Sequence, residues 1–178
     1  MLDNSDSMEE EDSNGQSKWM NLTSAVSQFV ASIEKNLILK NNSKVSIITY
    51  NSVAKLEIEA EVPSQSILSS LLEPDGGTNF NPPLNLAKDL MVKHQGNFDS
   101  FVLVMMSDGE AAYPSVGVDS IKRSPAKSKL KFKSIAYGQG SESLTKMAQE
   151  LGGTCEKVLE PNQLSSAFIQ MIPNLYAQ

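Results

Sequence analysis

Five oxygen-bearing side chains, in three separate stretches, are the residues best suited to do chemistry in this chain. Asp3, Ser5 and Ser7 alternate within Asp3-Asn4-Ser5-Asp6-Ser7, so an extended loop turns all three to one side. Thr78 follows the glycine pair Gly76-Gly77. Asp108 comes directly after Ser107, at the end of a strand whose apolar run Phe101 to Met106 has the signature of burial on both faces. Each stretch alone is commonplace, because Asp and Ser gather in loops for turn-forming reasons. Together, two carboxylates and three hydroxyls make an oxygen-only donor set suited to a hard divalent cation.

Other chemistries fit less well. Read as an EF-hand loop, the first stretch has Met8 where glycine is needed and Asn14 where a bidentate Glu is needed. A serine nucleophile requires a base beside it, and the chain has one histidine, His94, and no Gly-x-Ser-x-Gly. Gly138-Gln139-Gly140 stops short of either phosphate-binding glycine motif. No catalytic or nucleotide-binding residue is assigned, and the chain is expected not to be an enzyme. The bland alternative gives Asp3, Ser5, Ser7 and Thr78 only capping and turn roles.

Bringing the five side chains together requires a fold that gathers distant loops, and the chain alternates strands with helices in the order that makes one. Trp19, Leu22, Val26, Phe29, Val30, Ile33 and Leu37 recur at helical spacing from Lys18 onward. Val45 to Tyr50 is β-branched and aromatic, and Val53 to Val62 alternates as an antiparallel edge strand does. A short helix is expected over Pro63 to Leu72. Another runs from an Asn81 N-cap to His94 and buries Leu84, Ala87, Leu90 and Met91. Ala111 to Lys129 reads as irregular, with a short helix around Val118 to Lys122. Leu130 to Tyr137 is a strand, and a helix capped by Ser141 ends at Gly152-Gly153. A last strand, Thr154 to Leu159, precedes a helix opened by Pro161, with Leu164, Phe168, Ile169, Ile172 and Leu175 inward and Pro173 as a kink or stop. The fold class is a doubly wound, mostly parallel α/β sheet with one antiparallel edge strand, in three Rossmann-like layers. Its sites form at the carboxyl ends of the strands.

Composition narrows the partners. The 178 residues are 40% apolar and carry a net charge of −6, with six acidic residues between Asp3 and Asp12. Nucleic acid is excluded, since phosphate binding needs clustered Lys and Arg, and the one basic cluster, Lys122 to Lys133, reads as a solvated flank. No apolar run approaches the ~20 residues of a membrane span, so no membrane insertion by this chain is expected. Glu9 to Asp12 reads as solvated loop, with tuning of a cation site as its second reading. Asn21-Leu22-Thr23 and Asn41-Asn42-Ser43 match glycosylation acceptors by chance. Cys155 stands alone, as a small buried hydrophobe. The compartment is unknown; the lone cysteine and the lack of an apolar leader in these residues tilt the expectation to the cytoplasm.

Asp3-x-Ser5-x-Ser7, Thr78 after Gly76-Gly77, and Ser107-Asp108-Gly109, in this order and in these contexts, resemble a von Willebrand factor type A domain with a metal-ion-dependent adhesion site. The resemblance extends through helix and strand order to Tyr176. It implies that Ser5, Ser7 and Thr78 contact Mg²⁺ or Mn²⁺, Ca²⁺ being a poorer match, with Asp3 and Asp108 acting directly or through water. It further implies an open coordination position for an Asp or Glu side chain of a protein partner. The function expected is thus cation-dependent protein binding. The alternative is a structural module of a larger protein, with further domains, whose cation only stabilises the loops. The sequence departs from that pattern in two places. Asp6 stands where such domains often have glycine, and its extra charge tightens cation binding or repels an acidic ligand if it points inward. Only Met1 and Leu2 precede Asp3, so residues 1–178 read as a single domain truncated at its N-terminus, with the first, central strand largely missing.

Overall fold

The computed structural model describes residues 1–12, 15–68, 73–109, 111–138 and 140–176. The strands are β1 Leu2–Asp3, β2 Val45–Tyr50, β3 Ala54–Glu61, β4 Phe101–Ser107, β5 Leu130–Tyr137 and β6 Thr154–Val158. They form one sheet in the order β3-β2-β1-β4-β5-β6. β3 pairs antiparallel with β2, and the other pairings are parallel, as the alternation of elements predicts. The helices are α1 Lys18–Lys35, α2 Leu37–Asn42, α3 Asn81–His94, α4 Ser115–Lys122, α5 Glu142–Leu151, α6 Pro161–Ile169 and α7 Ile172–Tyr176.

Successive strand residues point to opposite faces, which gives the sheet two cores. Leu2, Ile47, Met106 and Ile135 pack with Leu22 and Val26 of α1 and with Leu164 and Phe168 of α6. Ile48, Tyr50, Met105 and Ala136 pack with Leu84 of α3, Ile121 of α4 and Met147 of α5. Tyr50 donates its hydroxyl hydrogen bond to Met106 O (2.6 Å), strapping the carboxyl end of β2 to that of β4 across β1.

Several local expectations are corrected. Leu37 is 73% exposed because the helical stripe breaks at Asn36, whose carboxamide accepts from Leu39 N (3.2 Å) and starts α2. Asn81 is the first residue of α3, not its cap. The Asn79 side chain accepts from Asn81 N (3.0 Å), which frees Asn81 Oδ1 to accept from Gly117 N at the start of α4 (2.9 Å). Leu90 is half-buried. Ser141 stands at the N-cap of α5 without a side-chain capping bond, and α4 starts earlier than expected. α6 ends at Ile169, four residues before Pro173, and Ile169 at this last position is 41% exposed. Cys155 is only half-buried, because β6 is the sheet's other edge. Of the helix expected over Pro63 to Leu72, the described part holds a 3₁₀ turn, Gln65–Leu68, and 69–72 lie outside the described residues.

β1 is two residues long, while its neighbours run on past it. Leu2 pairs with Thr49 and Met106, Met1 N donates to Val104 O (2.6 Å), and the ladder ends there. Below it the facing edges of β2 and β4, from Val45 and Phe101, flank a half-open cavity of about 850 Å³ lined also by Phe29, Ile33, Leu90 and Met91. The first four residues of β4 are accordingly half-buried, although the sequence predicts full cover.

The pair Gly152-Gly153 ends α5 for two separate reasons. Gly152 takes the left-handed conformation (φ 77°), and a Cβ on Gly153 would fall 2.0 Å from Phe132 O.

Candidate metal centre

The carboxyl ends of β1 and β4 deliver Asp3 and Asp108 side by side. Asp3 is fully buried; its Oδ1 accepts from Ser5 N (3.0 Å) and its Oδ2 from the Ser107 hydroxyl (2.5 Å). Burial raises its pKa above the usual carboxylate range; the bonds from Ser107 and Ser5 oppose that shift and the charge of Asp108 adds to it. After Ser5 the chain folds into a 3₁₀ turn, Asp6–Glu9, anchored by the fully buried Met8. The turn carries Ser7 back toward β4. Ser7 Oγ donates to Asp108 Oδ1 (2.7 Å) and lies 3.3 Å from Ser5 Oγ.

A second loop is held alongside by backbone bonds. Asn4 N donates to Tyr50 O and Asp75 N to Asn4 O, both at 2.8 Å. Asp6 N donates to Gly76 O (2.9 Å), while Asp6 Oδ1 accepts from Gly76 N (2.7 Å). Gly76 adopts φ 75°, the left-handed turn that glycine permits. Asp6 therefore faces the second loop and staples it, and its charge does not enter the cluster. Thr78 rides on this loop, half-buried, and makes no hydrogen bond to the other four side chains. Asp3, Ser5, Ser7 and Asp108 are thus directly brought together; Thr78 is brought to the same end of the sheet.

The acidic segment is more organised than a solvated loop. Glu11 and Ser17 form an antiparallel bridge. Asp12 Oδ2 accepts from Asn21 Nδ2 (2.5 Å) and from the Tyr137 hydroxyl (3.0 Å). Asn21 is buried, which supports chance as the origin of its glycosylation motif. This bridge sets Lys18 at the mouth of the cluster, where Nζ lies 2.7 Å from Asp108 Oδ2 and 2.6 Å from Glu10 Oε2. The Asp108 side chain is 1% exposed and that of Glu10 67%. Partial burial lowers the lysine pKa, but its bonds to Asp108 and Glu10 outweigh that and raise it overall. Lys18 is the residue at the cluster that sequence reasoning missed. Its one signal was a cation at a helix N-terminus, where the macrodipole disfavours positive charge.

Ligands at right angles on a Mg²⁺-sized ion, with ~2.1 Å bonds, stand ~3.0 Å apart. The spacings Ser5–Ser7 (3.3 Å) and Ser7–Asp108 (2.7 Å) bracket that value, so these oxygens fit such an ion. Among the described residues no group of three or more His, Cys, Asp or Glu is placed to hold a metal, and the cluster here combines two carboxylates with hydroxyls. Nor is any helix among them long and apolar enough to cross a membrane.

The sequence profile of the von Willebrand factor type A domain matches residues 1–110. No curated protein matches the chain by sequence. Among solved structures, the chain is similar to BatB, a conserved hypothetical protein from Bacteroides thetaiotaomicron (17% identity, 99% of this chain and 97% of that one, TM-score 0.78). It is similar also to a von Willebrand factor type A protein from Catenulispora acidiphila (16%, 96% and 40%, TM-score 0.71). A third is proximal thread matrix protein 1 of the mussel byssus, solved with a zinc-occupied MIDAS motif (16%, 98% and 46%, TM-score 0.70). The chain thus spans less than half the length of two of these three. At such identities the likeness shows the fold alone.

Proposed function

The chain belongs to the von Willebrand factor type A domain family, and from that premise we propose that residues 1–178 form one divalent-cation-dependent, non-enzymatic protein-binding domain. Asp3, Ser5, Ser7, Thr78 and Asp108 hold Mg²⁺ or Mn²⁺. When bound, the ion offers a Lewis-acid position to an Asp or Glu side chain of the partner. The run of oxygens from Ser5 through Ser7 to Asp108, at 3.3 and 2.7 Å, carries this reading. Neutral hydroxyls leave the ion its electrophilic character, which an incoming carboxylate exploits. The buried carboxylates are oriented before any ion arrives, Asp3 by Ser5 and Ser107 and Asp108 by Ser7. The zinc-occupied motif of the mussel protein adds support by analogy of fold. The chain's only histidine, His94, pairs with Glu59 (2.9 Å) and lines the cavity at the other end of the sheet, far from any role as a base here.

Mn²⁺ titration by calorimetry and electron paramagnetic resonance tests the proposal. Wild-type protein is expected to bind one ion, and Ser5→Ala, Thr78→Ala and Asp108→Asn to bind far more weakly with unchanged circular dichroism. Peptides ending in free Glu or Asp side chains should be retained only with the ion and released by chelator. Retention that ignores chelator, with Mn²⁺ still bound and stabilising, would favour the purely structural role of the cation. Absence of Mn²⁺ binding both by wild type and by a variant lacking the Lys18 ammonium would refute the site.

A further inference from the structure

Lys18 bonds the same carboxylate that the proposed ion needs. Its Nζ is shared between Asp108 Oδ2 at 2.7 Å, on a buried side chain, and Glu10 Oε2 at 2.6 Å, on an exposed one. Lys18 and Glu10 are held together by the backbone: Lys18 N donates to Glu10 O (3.0 Å), and Glu11 and Ser17 form the adjoining bridge. The ammonium sits on the first residue of α1, where the helix dipole opposes it, so the carboxylates are what keep it there. A monovalent cation so placed and a divalent cation on Asp108 repel each other and draw on the same oxygen charge.

We propose that Lys18 is a built-in competitor of the metal ion: its ammonium neutralises Asp108, and metal uptake requires it to move wholly onto Glu10. This rests on the metal reading above. Lys18 then sets the affinity of the site, and Glu10 acts through Lys18 by giving the displaced ammonium a second anchor. The arrangement makes a low-affinity site that follows ambient cation concentration instead of remaining permanently loaded.

The experiment is a double-mutant cycle on the full chain with Mn²⁺ alone as the probe, read by calorimetry and by thermal unfolding with and without chelator. Lys18→Met is expected to tighten Mn²⁺ binding by about tenfold or more, the scale of one charge-assisted hydrogen bond. The same variant should unfold earlier in chelator, where Asp108 has lost its counter-ion, and gain more from Mn²⁺ than wild type does. Glu10→Gln, an exposed change that leaves the fold intact, is expected to weaken binding in the wild-type background and to have little effect beside Lys18→Met. Unchanged or weaker binding by Lys18→Met overturns the proposal, as does an equal Glu10→Gln effect in both backgrounds, since that marks a general field effect. If neither wild type nor Lys18→Met binds Mn²⁺, the metal site itself is refuted. Binding by Lys18→Met alone supports both.

Discussion

The cavity under β1 gives a test of what holds this sheet together. Continuing the observed register, Leu2 to Thr49 and Leu2 to Met106, four residues placed ahead of Met1 fall opposite Phe101 to Val104 of β4 and 44–47 of β2. An Ile-Val-Leu-Val extension alternates its side chains between the Phe29 and Met91 sides of the cavity. Burial contributes about 2 kcal/mol per residue, ordering costs about 1.5, and ladder hydrogen bonds add about 1 net. Four residues should therefore stabilise the chain by about 6 kcal/mol, or roughly 15 °C in a protein of this size. Urea unfolding followed by circular dichroism measures it, with a Gly-Ser-Gly-Ser extension as the control. Equal midpoints for the two extensions would show that the facing edges do not accept a strand and would refute the reasoning.

Gly153→Ala places a methyl group against Phe132 O and should cost about 2–4 kcal/mol in chemical denaturation, whereas Gly152→Ala, strained only in φ, should cost about 1. Asp6→Ala removes the acceptor of Gly76 N and should lower stability by about 1 kcal/mol. By freeing the loop that carries Thr78, it should also weaken Mn²⁺ binding in calorimetry. Lys93 first, and then His94, hold the Glu59 carboxyl below its usual range. Its stabilising contribution is therefore present above the ordinary carboxylate pKa of ~4.3 and is lost as pH falls through the lower folded value. Glu59→Gln should flatten the acid limb of the stability curve there, and an unchanged limb would exclude the pair as a contributor.

What could be read from the residues were features set by periodicity or by strand ends. The spacing of Trp19 to Ile33 made α1, and the alternation of β3 made the antiparallel edge. The convergence of Asp3, Ser5, Ser7 and Asp108 followed once the strand order was known. The residues misjudged are those whose role depends on a contact distant in sequence. Asn81 has the composition of a cap, but Phe80 holds the cap position, Asn79 accepts from Asn81 N, and Asn81 reaches α4. Asp6 was legible as an extra charge near the cluster, yet its direction is set by Gly76, which lies in another loop. Lys18 reads as the polar start of a helix until the bridge between Glu11 and Ser17 sets it against Asp108.

The Tyr50 strap divides the sheet along the length of its strands. Above it, β1, the Tyr50–Met106 bond and the hydrogen-bonded loops tie neighbouring strands at several points. Below it, within residues 1–178, β2 and β4 pair only with β3 and β5, while their faces pack on the helices. In a chain of residues 1–178 alone, local opening should therefore start at the amino ends, with amide hydrogen exchange faster at Val102 than at Met106 within one strand. The candidate site would then sit on the slow-exchanging half, able to hold its geometry while the other half of the same sheet breathes.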